Sequence, residues 1–566
     1  MASAHDEVQH LLSRIDNLNL PHPSTPLLSS FVTEAVNPVS AARYMNGKLS
    51  AGEARLVVSD WAYIIDSITE NGRSPPPPDA ITRHAITKRD GGKCCITGKD
   101  GTFWDPLLVA PILPFPSGWT KDKDRILDML GAFFGPPYRD WWLSYARNPE
   151  HMSCYCNHWL VRTSAAKAFA RGSVRLDRLQ PSMVEYEVNP VLIGPEDPIE
   201  VDGRFPLLGD RSRSGIETID PRFVGTHARL CRSIRYVEIA KKVAPEILQQ
   251  PSESSNSLPV PYSPRPTPQR KSVALSRLFP SHAFLSVWLM VPDKFRIAVY
   301  ETLRKLGERL YGKPNDYSTV QRLPFGLYLK YQGEPAGYRN EFNALQTVHR
   351  HTSIPAPKPL DVVIKKLDTD SLFPSEAYLL ITRISGMPLS RCQDVLSDGD
   401  CKHIITQLKD YLTQLRAIPK KTPVNADMAI CNTLGEACRD PRIRSADPMG
   451  PFPDEVAFSQ VLRFSDDPAR RGHRIVFTHA DLNPRNILVD RAVYPDGSTG
   501  WRVTGIVDWE NAGYYPEYWD YTKALFEGFR WTRRYVNLVK EVFAELGDYS
   551  KELDVETRSW ESGDGV

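Results

Sequence analysis

From His479 to Glu510 the chain sets oxygen-bearing side chains around apolar runs at intervals that few folds can bring to one point. Asp481 is followed five residues later by Asn486, then by Ile487, Leu488 and Val489, and Asp508 stands directly after Gly505, Ile506 and Val507. This spacing reads as a short polar loop feeding a strand, with a second carboxylate at a strand end. Asp481 is placed to take a proton from an attacking hydroxyl, while Asn486 and Asp508 offer oxygens to Mg²⁺. Phosphoryl transfer needs little covalent help, so a base and two magnesium ligands supply most of what it requires: position and charge neutralisation. Read alone, the same residues would also suit a solvated loop whose Asp and Asn cap turns.

Context upstream narrows the choice. Leu327 to Tyr331 alternate as a strand does, with Lys330 inside the run. Eleven residues on, Glu341 opens a stretch with Phe342, Leu345 and Val348 at helical spacing. A strand lysine and a helix glutamate in this order are the expected ion pair of a nucleotide-phosphate site, Lys330 with Glu341. Ala377 to Ile384 form an apolar run closed by Gly386, which fits either a hinge between two lobes or a plain core strand and turn.

Residues about 290 to 546 resemble the aminoglycoside phosphotransferase and choline kinase superfamily, on Lys330, Glu341, the segment Thr352 to Pro357, Gly386, His479 to Asp490, and Asp508 with Trp509, Glu510 and Pro516 to Asp520. The resemblance implies an α+β, two-lobed, protein-kinase-like fold, with a small sheet-rich lobe at about 285–385 and a larger helical lobe at about 386–550. It implies ATP and Mg²⁺ between the lobes, Asp481 as base, and Asn486 and Asp508 as metal ligands. Lys330, paired with Glu341, would contact phosphate, Gly386 would sit at the nucleotide hinge, and His479 would brace the catalytic loop. The segment before Lys330, Val320 to Gly326, departs from the glycine-rich phosphate loop of many kinases by holding one glycine, so its backbone is expected to wrap phosphates less closely. The chain also runs on only briefly past Trp531 and Tyr535, so fewer acceptor-pocket helices are expected than in larger members.

The N-terminal half differs. Arg89 to Gly98, Val109 to Pro114, Asn157 to Val161 and Phe169 to Gly172 resemble an HNH endonuclease domain, a mixed α/β unit expected over 80–245. Pro111 and Ala166 stand where that family carries histidines, and neither can act as base or ligand. His158 is one residue off, which on a strand points it to the other face. The expectation is a nuclease-like scaffold without cleavage. Cys94, Cys95, Cys154 and Cys156 invite zinc, but adjacent cysteines converge poorly on a tetrahedral centre and small buried thiols are the expected reading.

Composition bounds the rest. Seventy basic against 68 acidic side chains leave a net charge of +2, so no global field draws the chain to nucleic acid or to an anionic membrane. Nine cysteines without regular spacing suit a reducing compartment, and no segment resembles a signal peptide or reaches the roughly 18 apolar residues of a membrane span, so a cytoplasmic protein is expected. A proline run at 73–79 separates a helical N-terminal segment (1–72) from the nuclease-like block, and a Ser/Pro-rich stretch at 246–275 marks the interdomain linker before a kinase-like domain at 285–550. Phe133, Phe134, Trp141 and Trp142 could stack on bases and are expected as core.

Three functions compete: a small-molecule hydroxyl kinase using ATP and Mg²⁺; a catalytically weak pseudokinase or binding module; and an HNH-type nuclease or DNA-binding protein, which the missing histidines and balanced charge argue against. Glu510, Glu517 and Asp520 either face a cationic substrate or complement a helix dipole.

Overall fold

The computed structural model describes residues 4–18, 20–69, 78–114, 123–147, 155–179, 182, 184–194, 206–248, 282–313, 319–366, 375–443, 447–494, 497–526 and 531–562. Residues 73–77 of the proline run, residues 249–275 of the Ser/Pro stretch and Cys154 lie outside them. The chain divides into two compact units, Met1–Pro259 with Asp394–Asp398, and Val260–Gln393 with Gly399–Val566.

In the C-terminal unit the alternating runs build one antiparallel sheet. Strands β1 (Val320–Leu323), β2 (Leu327–Gly333), β3 (Pro359–Lys366) and β4 (Ser375–Thr382) stand in the order β1-β2-β4-β3. One face buries Leu329, Tyr331, Val363, Tyr378 and Leu380 against Tyr300 of helix α1 (Asp293–Tyr311). Successive strand side chains point to opposite faces, so Lys330, between Leu329 and Tyr331, is turned to the other side of the sheet. There helix α2 (Pro335–His351) buries Glu341, Leu345 and Val348, one stripe at helical spacing. Proline at its start suits the first helical turn, where the missing N–H has no partner to lose. β1 and β2 are joined by a three-residue turn, with Phe325 (φ 63°) and Gly326 (φ 72°) both left-handed.

The larger lobe holds two small sheets among helices. A short strand β5 (Met387–Pro388) pairs with β8 (Ile487–Val493), which pairs with β9 (Thr499–Ile506). Between β6 (Cys431–Asn432) and β7 (Ile475–Thr478) lies β10 (Gly513–Pro516). Helices α3 (Asp398–Arg416), α4 (Trp519–Phe526), α5 (Arg533–Phe543) and α6 (Ser550–Glu561) complete the lobe. Phe458, Trp509, Tyr515 and Trp519 are fully buried at its centre. Of the three helices that follow β10, α5 and α6 lie beyond Trp531.

The N-terminal unit gathers helices Ser24–Thr33, Ala54–Thr69, Lys123–Phe134 and Pro221–Val243 around Phe31, Trp61 and Phe133. Phe133, Phe134 and Trp142 are buried, so their bulk belongs to the core. Leu107–Pro111 pairs antiparallel with His158–Arg162, and Thr163–Ala170 follows as a helix. Pro111 stands opposite His158, and Asn157 turns inward to bond the backbone of Leu113. Cys94 and Cys95 are buried and Cys156 half-buried, and among the described residues the grouping that could hold a metal contains no cysteine. No helix among the described residues is long and apolar enough to cross a membrane.

Candidate active site

The loop from His479 to Asn486 runs from the end of β7 into β8, and Asp508 stands just past β9. Pairing of β8 with β9 brings Ile487 opposite Ile506, so the loop and the strand end are neighbours, and Val507 N donates to Asn486 O at 3.0 Å. The Asn486 amide nitrogen donates to the backbone oxygen (2.9 Å) and Oδ2 (3.0 Å) of Asp481, which turns its Oδ1 away from that carboxylate. Asn483 Nδ2 bonds Asp481 Oδ1 at 3.2 Å from the other side.

His479 is fully buried. Its Nδ1 accepts from Asp481 N (3.2 Å), so the ring proton sits on Nε2 and is donated to Val507 O (3.0 Å). One ring thereby ties the loop to the strand end. Ala480 (φ 60°) and Asp508 (φ 69°) both occupy left-handed backbone, unusual for residues with a Cβ. The carboxylate of Asp520 accepts from Ala480 N (2.8 Å) and His479 N (3.2 Å) and holds the first of these bends. Asp520 therefore braces the loop rather than facing a substrate, and Glu517 pairs with Arg474 at 2.7 Å.

Across the cleft, Lys330 Nζ lies 2.6 Å from Glu341 Oε2 and 2.5 Å from Asp508 Oδ1. Burial alone would depress this ammonium, but Glu341, Asp508 and Glu510 hold it well above its ordinary value, so it stays charged. Burial raises Asp508 as well, yet Lys330 overrides it and keeps that carboxyl below its usual range. Glu510 is pushed up to about 7, by burial first and then by the charge of Asp508. Ligand oxygens of Glu341, Asp508 and Glu510 all lie within 4.8 Å of one another. Burial also raises Asp481, against the pull of Lys523 at 3.5 Å.

Lys330, Glu341, His479, Asp481, Asn486 and Asp508 are thus joined in one chain of contacts. Gly386 (φ 119°) lies against the β8–β9 hairpin, where a Cβ would come 2.4 Å from Thr504 Oγ1 and 3.0 Å from Val489 O. Gly326 O, in the β1–β2 turn, accepts from Arg383 N at 2.8 Å, which ties that turn to the segment before Gly386. Sequence reading assigned no role to Lys523 or Tyr535 and left Glu510 and Asp520 open. Glu510 carried a signal, its place two residues after Asp508 at a strand end, and Asp520 one as an acid near a helix start, whereas Lys523 and Tyr535 enter through helix packing alone.

Residues 327–552 match the model of the phosphotransferase enzyme family. No curated protein matches the chain. Similar solved structures include the aminoglycoside phosphotransferase APH(4)-Ia, at 12% identity over 46% of this chain and 86% of that one with a TM-score of 0.30. APH(2")-IIia in complex with GDP and kanamycin is 16% identical over 46% and 84%, with a TM-score of 0.29. APH(3'')-Id from Streptomyces rimosus ATCC10970 is 19% identical over 46% and 97%, also with a TM-score of 0.29.

Proposed function

We propose that the C-terminal unit is an ATP- and Mg²⁺-dependent phosphotransferase acting on a hydroxyl of a small molecule. The observation that carries this reading is the Lys330 ammonium, bonded at once to Glu341 of the small lobe and Asp508 of the large lobe, with Asp481 fastened beside Asn486. Glu341, Asp508 and Glu510 present hard oxygen donors within 4.8 Å of one another, a set that suits magnesium, and Asn486, fastened beside Asp481, would offer its amide oxygen. Magnesium bound there would neutralise charge on the phosphates as it develops. In the proposed reaction Asp481 takes the acceptor's proton, and the acceptor oxygen forms a bond to the γ-phosphorus. The bond to the β,γ-bridging oxygen breaks, and ADP leaves with that electron pair. Lys330 stabilises the phosphates, while Asn483 and Asn486 keep Asp481 aimed. Burial that raises Asp481 makes it the better proton acceptor.

Mg·ATP should raise the melting temperature, and a panel of amino alcohols, sugars and aminoglycosides should show ADP release with at least one acceptor. Asp481→Asn should cut kcat by about 10²–10⁴ with little effect on nucleotide binding. A variant as active as the parent would remove Asp481 from the base role. Binding of Mg·ATP without turnover would instead favour the pseudokinase, to which the tight turn before Lys330 lends support.

For the N-terminal unit, the strand–strand–helix order with Asn157 just before the second strand supports a nuclease-like scaffold, and Pro111 and the half-buried Ala166 support its being without cleavage. Metal-dependent nicking of plasmid DNA by residues 80 to 240 would overturn that reading.

A further inference from the structure

Around Asp481 stand side chains for which phosphoryl transfer as described above has no use. Lys523 on α4 is 8% exposed, and its Nζ lies 3.5 Å from both Asp481 Oδ1 and Asp440 Oδ1. An ammonium has three donors, so two carboxylates leave one N–H for another acceptor. Tyr535 on α5 is 1% exposed and its Oη has no hydrogen-bond partner among the described residues. Burial raises this phenol, and the charge of Asp481 reaches it and raises it further, so it remains a donor. A buried hydroxyl without a partner is destabilising, a penalty that a bound ligand would lift. Arg485, inside the loop between Asp481 and Asn486, holds its guanidinium 5.2 Å from the Trp531 ring centre, and Trp531 meets Tyr535 edge-on at 6.0 Å. Arg485, Trp531 and Tyr535 thus form one row of contacts, and Lys523 meets Asp481 directly.

The charge of these side chains decides what they can hold. Lys523 and Arg485 are cations, and Tyr535 is a donor. Asp440, the other carboxylate that Lys523 meets, is already taken by Arg442 through both oxygens, at 3.1 Å to Oδ1 and 2.8 Å to Oδ2, and Asp508 is taken by Lys330. A polycation placed against Asp481 would therefore meet ammonium and guanidinium groups, whereas a carboxylate or phosphate would meet three donors.

We propose that Lys523, Tyr535 and Arg485 over Trp531 form the acceptor subsite, and that the acceptor is a small hydroxyl compound carrying a carboxylate or phosphate group. This rests on the phosphotransferase reading above. The anionic group sits against the Tyr535 hydroxyl and the Arg485 rim, which presents the acceptor's alcohol to Asp481.

The test uses the full chain with Mg·ATP and measures ADP release with glycerate and glycerol 3-phosphate as anionic probes and choline and kanamycin as cationic ones. At least one anionic probe should exceed both cations in kcat/KM by tenfold or more, and which of the two does so separates carboxylate from phosphate recognition. Tyr535→Phe and Arg485→Gln should each raise KM for that probe about tenfold while KM for Mg·ATP stays put; neither should lower the melting temperature, and Tyr535→Phe, which removes an unpartnered buried hydroxyl, should raise it. A merely structural role would move both constants and the melting temperature together. Arg485→Glu, at an exposed position, should shift preference toward choline. Preference of the parent for a cationic probe, no response to either anion while Mg·ATP binds, or unchanged acceptor KM in the variants would overturn the proposal. Failure of Mg·ATP to bind is a different result: it removes the phosphotransferase reading and this proposal with it.

Discussion

Left-handed backbone at Ala480 and Asp508 costs of order 1–3 kcal/mol at each position and persists only where surrounding bonds over-determine it. At Ala480 those bonds come from one side chain, Asp520, which holds two backbone N–H groups. Asp520→Ala should therefore lower stability by about 2–3 kcal/mol in urea unfolding and depress turnover more than nucleotide binding, because the loop that aims Asp481 loses its brace. An unchanged denaturation midpoint would show that Asp520 does not hold the bend. At Gly386 the strain works the other way: the left-handed angle and the 2.4 Å approach of Thr504 Oγ1 leave no room for a Cβ. Gly386→Ala should cost about 1–3 kcal/mol, seen as a lower melting temperature. Asp481, Asn486 and Asp508 were legible as residues because their chemistry and intervals are local. Asp520 was legible only as an acid near a helix start; that it reaches back some forty positions to the loop depends on how α4 packs.

At the level of elements, α1 is fastened to the sheet by a buried ion pair. Arg296 lies 2.5 Å from Asp361 of β3, and Tyr300 donates to the same carboxylate. Asp361→Ala leaves the Arg296 guanidinium with Asp293 (2.6 Å) and removes the Tyr300 acceptor, and should destabilise the small lobe by about 1–3 kcal/mol in denaturant titration, whereas Asp361→Asn, which keeps an acceptor for both, should cost less. A second clamp is titratable. His473 sits between Glu455 (2.7 Å) and Glu552 of α6 (3.2 Å), and although burial pulls its pKa down, the two carboxylates prevail and raise it. A histidine bound more tightly by protons when folded stabilises fully below its unfolded pKa of about 6.5, and that contribution is lost as pH rises through the higher folded value. Stability should therefore fall with pH from about 6.5 upward, and His473→Gln should flatten that slope. A parent whose slope matches that of the variant would mean that the clamp stays uncharged. Neither clamp was readable beforehand, since each joins elements far apart in sequence.

For the whole molecule, each unit has its own core, with Phe31, Trp61 and Phe133 in one and Trp509, Tyr515 and Trp519 in the other. A fragment of residues 282–562 should therefore unfold cooperatively and be stabilised by Mg·ATP as the full chain is, whereas an insoluble or molten fragment would show that the second core is incomplete alone. Lys330 and Glu341 were readable as a pair because strand alternation and helical spacing are short-range rules that turn the lysine away from Leu329 and Tyr331 and the glutamate inward beside Leu345 and Val348. The order of lysine, glutamate, aspartate, asparagine and aspartate along the chain is what the proposed chemistry was read from. What the tertiary structure alone decided is the far wall, where α4 and α5 carry Lys523 and Tyr535 to Asp481 from more than forty residues downstream. The physical reason is range: side-chain periodicity is set by the nearest turn or pleat, but the charge beside Asp481 is set by which helices pack against the loop that carries it.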